Sequence, residues 1–154
     1  MGFKFGFRVP YEGKRKLRFS RNLLSAEENI QFFKENIYKE ILSGRVASPF
    51  ENSPFLTLQI SPLEKPGEFR VIHHLSYPDG TSINDGISKD LCTVQYQTIG
   101  DAIKLVKHYG KGSLLSKTDI ENSFRLVPIN KQDYDLLGFS IDGTFYYDKT
   151  LPVL

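Results

Sequence analysis

The sequence predicts an α+β fold in which an antiparallel sheet is flanked by helices. Helical and strand patterns alternate irregularly along the 154 residues, without the strand–helix repeat of a doubly wound sheet. The Asp142-Gly143 pair lies inside the stretch from Leu137 to Tyr147 and predicts a hairpin, whose two strands run antiparallel. Glycine-rich phosphate loops of the Walker and Rossmann types do not occur in the sequence. These observations exclude the doubly wound nucleotide-binding folds.

The first helix is predicted to begin at Ser25. Ser25 and Glu28 have the spacing of a capping box, in which two side chains satisfy backbone amides at a helix start. Apolar residues then recur at intervals of three and four and form one face, which consists of Ile30, Phe33, Ile37 and Ile41. Gly44 ends this helix, because glycine adopts the left-handed conformation of a helix C-terminus without strain.

Two strands are predicted in the region that follows this helix. Prolines exclude a continuous helix there, at Pro49, Pro54, Pro62 and Pro66. The strand candidates are Phe55 to Ile60 and Phe69 to Leu75, and the turn from Tyr77 to Gly80 ends the second. Adjacent strand residues point to opposite faces, so His73 and His74 are expected to be one buried and one exposed residue and not a metal-chelating pair.

A second helix is predicted between Thr98 and Gly110. Thr98 and Asp101 mark its start, and an apolar side follows them. Beyond this helix, the sequence predicts a short strand from Leu114 to Ile120 and a helical turn from Lys131 to Asp135.

The composition is that of a folded chain without a strong charge bias. Hydrophobic residues make up 40% and aromatic residues 13% of the sequence, which is enough to form a core. The formal net charge of +2 allows a nucleic-acid partner without requiring one. The single cysteine, Cys92, fits a reducing compartment, and no run approaches the roughly 20 apolar residues of a membrane helix. We therefore expect an intracellular protein without a membrane partner.

Residues 1–24 are predicted to form a basic N-terminal extension. Its basic side chains alternate with Tyr11, Leu17 and Phe19, a mixture that fits contacts with phosphates and bases. The basic residues are Lys14, Arg15, Lys16, Arg18 and Arg21. A solvated basic segment is the commoner alternative.

Asp119 lies near the end of the apolar run from Leu114 to Ile120. A carboxylate in that position must be hydrogen bonded or matched to a cation, which makes Asp119 a candidate metal ligand. From spacing alone, a cap or turn residue is the alternative for Asp119, and a core side chain is the alternative for Phe124.

The segment from Asp119 to Pro128 resembles motif A of reverse transcriptases, with an aspartate, an aromatic residue at Phe124 and a Val-Pro pair. Further blocks are similar, in the same order, to polymerases of DIRS-type (tyrosine-recombinase) retrotransposons. These blocks are residues 44–50, 60–63, 69–76, 84–85 and 136–139. The resemblance covers the chain from about residue 20 to its end. It implies the fingers and first part of the palm of a right-hand polymerase, which copies a primed RNA or DNA template from deoxynucleoside triphosphates.

The resemblance also implies roles for individual residues. Asp119 would be the catalytic ligand of two Mg²⁺ ions, and the backbone carbonyl of Ile120 would bind one of them. Phe124 matches the steric gate that favours deoxynucleotides. The remaining residues implied to bind nucleotide are Lys65 and Arg70 on a fingers hairpin, and Asn122 and Ser123 through their backbone amides. Arginine suits this role because its planar fork grips phosphate oxygens, although a solvated hairpin is the alternative.

Departures from the family pattern predict that the chain is inactive alone. After Leu151-Pro152 the family continues into a glycine-containing motif B and later a Tyr-x-Asp-Asp hairpin, and neither occurs in these 154 residues. One aspartate holds Mg²⁺ poorly, because the ion requires several oxygen ligands. The hairpin of Lys65 and Arg70 is shorter than in the family, which leaves the register of its second strand open. A non-catalytic nucleic-acid-binding or interaction module is the alternative function, and a translated remnant without function is a third.

Three segments follow from this interpretation. They are the extension of residues 1–24, an N-terminal helix with a fingers-like region at 25–110, and the start of a palm at 111–154. The strand from Leu114 to Ile120 is expected to have an open edge. Since unpaired strand edges recruit other strands, self-association is expected.

Overall fold

The chain folds into two sheets, packed with helices, around two small apolar clusters. The computed structural model describes residues 2–47, 56–58, 60–65, 68–92 and 95–152. Its α-helices are α1 (Gly2–Phe5), α2 (Leu24–Glu28), α3 (Ile30–Leu42) and α4 (Ile99–Tyr109). Four short 3₁₀ helices span Asn84–Gly86, Lys89–Leu91, Ser123–Leu126 and Lys131–Leu137. None of the described helices is long and apolar enough to cross a membrane.

The strands confirm the predicted α+β class. They are β1 (Arg18–Phe19), β2 (Leu56–Leu58), β3 (Ile60–Lys65), β4 (Glu68–His73), β5 (Gly138–Ile141) and β6 (Thr144–Tyr147). One sheet has the order β1-β2-β5-β6, and β3 and β4 form a separate antiparallel pair. The predicted hairpin is present as the antiparallel pair β5 and β6. Parallel pairing of β2 with both β1 and β5 was not predicted.

The larger apolar cluster forms where α3 packs against β5. Phe33 and Ile37 of α3 are buried there, together with Phe139 and Ile141 of β5. Ile30 and Ile41 pack at its margin, so the predicted apolar face of α3 is confirmed. The second cluster lies around the helix Lys131–Leu137 and contains Leu75, Ile83, Ile129, Leu136 and Leu137.

The N-terminal residues pack against the segment that follows residue 127. The amide of Phe7 donates to the carbonyl of Pro128 at 2.8 Å, and the amide of Asn130 donates to the carbonyl of Phe7 at 2.9 Å. Arg8 and Arg15 both form ion pairs with the fully buried Asp133. The N-terminal residues therefore contact the part of the chain that forms the second apolar cluster. The boundary of a separate extension at residue 24 stays a prediction.

Ser25 does not cap a helix, contrary to prediction. It lies inside α2, and α3 begins only after Asn29. The side chain of Asn29 donates to the carbonyl of Ser25 at 2.8 Å, which offers that carbonyl a partner other than a helix amide. The capping box predicted at Thr98 and Asp101 is confirmed at the start of α4.

The prediction of a strand from Leu114 to Ile120 is wrong, because this segment has no regular secondary structure. A strand requires a neighbour that completes its backbone hydrogen bonds, and none of the described strands lies beside these residues. The side chains of Leu114 and Leu115 are 98% and 80% exposed. The apolar side chains of this run are therefore exposed at the surface, and the run is not a strand of the described sheets.

Candidate nucleotide site

A cavity between α3, β4 and β5 brings together two residues that were predicted to bind nucleotide. Arg70 and Asn122 both line it, and its volume is about 200 Å³. Five further polar residues contribute to its wall, namely Asn36, Glu40, His73, Arg125 and Asp148. The cavity joins the predicted fingers hairpin to the motif that contains Asp119.

Arg70 reaches the cavity from the hairpin of β3 and β4. In this hairpin Leu63 pairs with Arg70, and Lys65 pairs with Glu68 at the end nearest the turn. The short hairpin therefore has a regular antiparallel register. The tip of the hairpin, Pro66 and Gly67, lies outside the described residues, and the placement of the Lys65 side chain stays a prediction.

Asn122 reaches the cavity through a left-handed turn. Its φ of 51° and ψ of 39° are unusual for a residue other than glycine, and asparagine is among the residues that tolerate this conformation best. The turn starts the helix Ser123–Leu126, and the carbonyl of Asn122 accepts from the amide of Arg125 at 2.8 Å. This geometry directs Arg125 inward while Phe124 stays about half exposed.

Arg125 is buried and connects three parts of the chain. Its Nη1 donates to Asp148 Oδ1 at 2.6 Å, and its Nε donates to Glu40 Oε2 at 3.0 Å. Arg45 holds the same Glu40 with two hydrogen bonds of 2.8 Å. Burial by itself raises the pKa of Glu40, but the hydrogen bonds and charges of Arg45 and Arg125 outweigh it and lower that pKa below its ordinary value. Glu40 is therefore a stable anion that fixes both arginines.

His73 borders the same network and is buried, as predicted for one member of the histidine pair. Its ring packs edge-on against Phe139 with centroids 5.0 Å apart, while His74 is half-buried. Burial lowers the pKa of His73, and the positive charges of Arg125 and His74 add to this, whereas Asp148 opposes it. His73 Nε2 lies 3.3 Å from Asp148 Oδ2, yet neither atom makes a well-directed hydrogen bond among the described residues. These polar atoms give the cavity wall unused hydrogen-bonding capacity.

Asp119 and Ile120 lie outside the lining of this cavity, in the irregular segment before Asn122. Both residues are exposed, as are Ser123 and Phe124. The described residues contain no group of three or more acidic, histidine or cysteine side chains that would hold a metal ion. These residues therefore do not fit Mg²⁺ on their own, since that ion requires several oxygen ligands.

Arg125, Glu40, Asp148 and His73 were not predicted as site residues. Arg125 follows the proposed gate Phe124 directly, but its partners Glu40 and Asp148 are distant in the sequence. No sequence pattern connects Arg125 with Glu40 on α3 or with Asp148 after β6, because these contacts form only in the folded chain. A search for basic residues within the motif would have found Arg125 but not its partners.

Comparison with solved structures shows a reverse-transcriptase-like fold. The native crystal structure of prototype foamy virus protease–reverse transcriptase matches 96% of this chain with a TM-score of 0.59 and 18% identity. The foamy viral enzyme in complex with double-stranded DNA matches 91% of the chain with a TM-score of 0.57 and 20% identity. Its complex with an RNA/DNA hybrid matches 94% with a TM-score of 0.54 and 15% identity.

The chain spans only part of these proteins, 18% of the native structure and 26% of the complex with double-stranded DNA. No protein-family model matches the sequence, and a comparison with curated proteins finds no match. The structural similarity therefore shows that the chain has a partial reverse-transcriptase fold. It shows the fold and not an activity.

Proposed function

We propose that this chain is the fingers and first part of the palm of an RNA-directed DNA polymerase of DIRS type, inactive as the isolated 154 residues. The observation that carries the proposal is the convergence of Arg70 and Asn122 on one cavity. They come from separate sequence blocks, and both blocks resemble nucleotide-binding parts of the same polymerase family. The reverse-transcriptase-like fold supports this interpretation.

The charges around the cavity suit a triphosphate. Arg45 and Arg125 form ion pairs with Glu40 and Asp148, and Arg70 adds a third cation to the cavity wall. Arg70 is exposed in the cavity wall, where its planar fork would bind phosphate oxygens, and Lys65 would add a point charge. Arg125 is held by its two acids and would act by fixing the turn that starts at Asn122.

The remaining proposed roles follow the motif. Asp119 and the carbonyl of Ile120 would contribute ligands for Mg²⁺ in a complete polymerase, where the bound metal would supply Lewis-acid activation of the primer hydroxyl and charge stabilisation of the leaving pyrophosphate. The amides of Asn122 and Ser123 would approach the triphosphate, and the half-exposed ring of Phe124 would lie beside the sugar. Template-primer and deoxynucleoside triphosphates are the proposed partners.

Nucleotide binding tests the proposal. We expect the chain to bind a fluorescent deoxynucleoside triphosphate, and Arg70→Ala to weaken this binding about 10-fold or more, since a charge-assisted hydrogen bond contributes about 1.5–3 kcal/mol. Lys107→Ala removes an exposed cation from α4, away from the cavity, and serves as the control. Equal affinity for the Arg70 and Lys107 variants would remove Arg70 from the site.

Primer extension tests the proposed inactivity. With Mg²⁺ or Mn²⁺, the 154-residue chain is expected to incorporate no nucleotide, because Asp119 is the only motif carboxylate within it. Template-dependent incorporation that Asp119→Asn abolishes would contradict this.

The steric gate is testable in a chimaera that joins this chain to the rest of a reverse-transcriptase palm. In an active chimaera, Phe124→Ala is expected to increase ribonucleotide use, because it removes bulk beside the 2′ position. Unchanged sugar preference would contradict the role of Phe124.

A non-catalytic nucleic-acid-binding module derived from a retroelement is the second candidate. The absence of a metal-binding cluster among the described residues favours it. Such a module has no reason to bind a nucleoside triphosphate at Arg70, so the binding experiment separates the two candidates. Reading the nucleotide sequence after the last codon for motif B and the Tyr-x-Asp-Asp hairpin separates them independently.

A further inference from the structure

The ring of His73 has two buried nitrogens, neither of which has a hydrogen-bond partner in the part of the chain that the structure describes. His73 is 6% exposed and lines the cavity between α3, β4 and β5. Its ring packs edge-on against Phe139, which holds it in the cavity wall. Because a buried polar atom without a partner is costly, such atoms beside a cavity indicate that a bound molecule supplies the partner.

Asp148 lies beside this ring and has a similarly unused oxygen. Its Oδ2 is 3.3 Å from His73 Nε2 and makes no well-directed hydrogen bond among the described residues, whereas its Oδ1 accepts from Arg125 Nη1 at 2.6 Å. A protonated imidazole carries a hydrogen on both nitrogens. Protonated His73 could therefore turn Nε2 to Asp148 and still offer the hydrogen on Nδ1 to a ligand.

The charges that face His73 come from several parts of the chain. Burial has the largest effect and lowers the pKa of His73, and Arg125 and His74 act in the same direction. Asp148 after β6 and Glu40 on α3 oppose them in part. The ring is therefore neutral at pH 7. An anion inside the same cavity would favour the charged ring, since a nearby opposite charge stabilises the protonated form of a histidine.

We propose that His73 is a further ligand-binding residue of this cavity, which takes up a proton when a triphosphate binds and donates from Nδ1 to a phosphate oxygen. The inference rests on the proposed nucleotide function and adds a pH-dependent cation to Arg70, which lines the same cavity. A histidine that becomes charged only with its ligand attracts the anion without a permanently buried charge.

The other charges of the wall favour an anion that brings a proton with it. Arg45 and Arg125 are already in ion pairs with Glu40 and Asp148, so they add little attraction for a phosphate. A metal ion fits the same atoms poorly, because Arg125 lies against Asp148 and the described residues contain no group of three ligating side chains.

The test measures the affinity for a fluorescent deoxynucleoside triphosphate between about pH 8 and 6, in the wild type and in His73→Gln. One linked proton makes the wild-type affinity increase by up to about 10-fold per pH unit relative to the variant. The ratio of the two affinities cancels the titration of the triphosphate itself. His108→Gln is the matched control and should keep the wild-type dependence, since no residue of α4 lines the cavity.

Nuclear magnetic resonance of the imidazole groups provides a measurement that needs no variant at position 73. Titration of the wild type with and without the triphosphate should show that the ligand raises the pKa of His73 and leaves that of His108 unchanged. A chain that binds no triphosphate would overturn the proposed nucleotide site together with this role. Binding that leaves the titration of His73 unchanged, or a pH dependence that His73→Gln shares with the wild type, would overturn the role of His73 alone.

Discussion

At the scale of single residues, Asp133 holds the N-terminal segment to the rest of the chain. Its carboxylate is fully buried and accepts from Arg8 Nε at 2.6 Å, Arg15 Nη2 at 2.7 Å and the amide of Val9 at 3.0 Å. Burial by itself raises the pKa of Asp133, but the hydrogen bonds from Arg8, Arg15 and Val9 outweigh it and lower that pKa. Asp133 therefore stays charged, and its charge is matched.

Asp133→Asn tests this contact. We expect it to lower the free energy of unfolding by about 1.5–3 kcal/mol, since the amide cannot accept all of the charge-assisted hydrogen bonds. Asp142→Asn is the control, because Asp142 pairs with Lys34 at the surface, where ion pairs contribute about 0–1 kcal/mol. Urea titration in dilute solution measures both. Equal effects of the two substitutions would show that Asp133 is not a special anchor.

His73 provides a pH prediction. Burial, with contributions from Arg125 and His74, lowers the pKa of His73 in the folded chain, whereas Asp148 and Glu40 raise it only in part. The unfolded chain therefore takes up a proton near pH 6.5 that the folded chain does not bind, and stability falls as pH decreases below that value. The slope from one such group is at most about 1.4 kcal/mol per pH unit.

His73→Gln is expected to remove this component of the slope between about pH 6.5 and 5. His108→Gln, at the exposed end of α4, is the matched control. An identical slope in the wild type and the His73 variant would contradict the assignment.

Sequence patterns find some site residues and miss others for a physical reason. Arg70 and Asn122 lie in local blocks that a resemblance can recognise, and the structure brings them to one cavity. Asp133, Glu40 and Asp148 act through partners far away in the chain. Such pairings depend on tertiary packing, which no local spacing encodes. Arg15, predicted as a phosphate contact, pairs with Asp133 and Asp135 for this reason.

At the scale of elements, three local signals were confirmed, whereas the capping box predicted at Ser25 was wrong. The apolar spacing in α3, the capping box of α4 and the hairpin turn at Asp142-Gly143 each depend on residues close in sequence. β2 lies inside the strand predicted from Phe55 to Ile60, whereas β1, its parallel neighbour, has only two residues, too few for a pattern to form. The segment from Leu114 to Ile120 has the residue pattern of a strand. It would form a strand only beside a neighbouring strand that completes its backbone hydrogen bonds.

Two glycine substitutions test the element-scale argument. Gly143 has a φ of 74°, and a Cβ added there would meet no other atom within 4 Å, so Gly143→Ala costs only backbone strain, about 1–2 kcal/mol. Gly100 lies in the first turn of α4, where an added Cβ would lie 3.3 Å from the capping Thr98 Oγ1, so Gly100→Ala is expected to stabilise the helix by less than the ~0.5–1 kcal/mol of an interior position. Circular dichroism during urea unfolding measures both. Equal signs for the two substitutions would contradict the conformational explanation.

At the scale of the whole molecule, a continuous stretch of the chain leaves its apolar side chains uncovered. No residue of α4 is buried, although Ile99, Ile103 and Val106 lie on one face of the helix, with the charged Lys104 and Lys107 away from it. Leu114 and Leu115 follow this helix and are also exposed. Self-association was predicted through an open strand edge, and the structure offers this helical face in its place.

The isolated chain is therefore expected to self-associate weakly through α4. The three apolar side chains of this face offer about 4.5–9 kcal/mol on burial, against an association cost of about 4–15 kcal/mol, so the complex should depend on concentration. Light scattering should show a mass that increases between micromolar and millimolar protein. Ile99→Glu with Ile103→Glu should keep the chain monomeric, whereas Leu42→Glu, at a 70% exposed position on α3, should not. A wild-type chain that stays monomeric over this range and unfolds in one cooperative transition would contradict the argument, because its exposed helix would then need no partner.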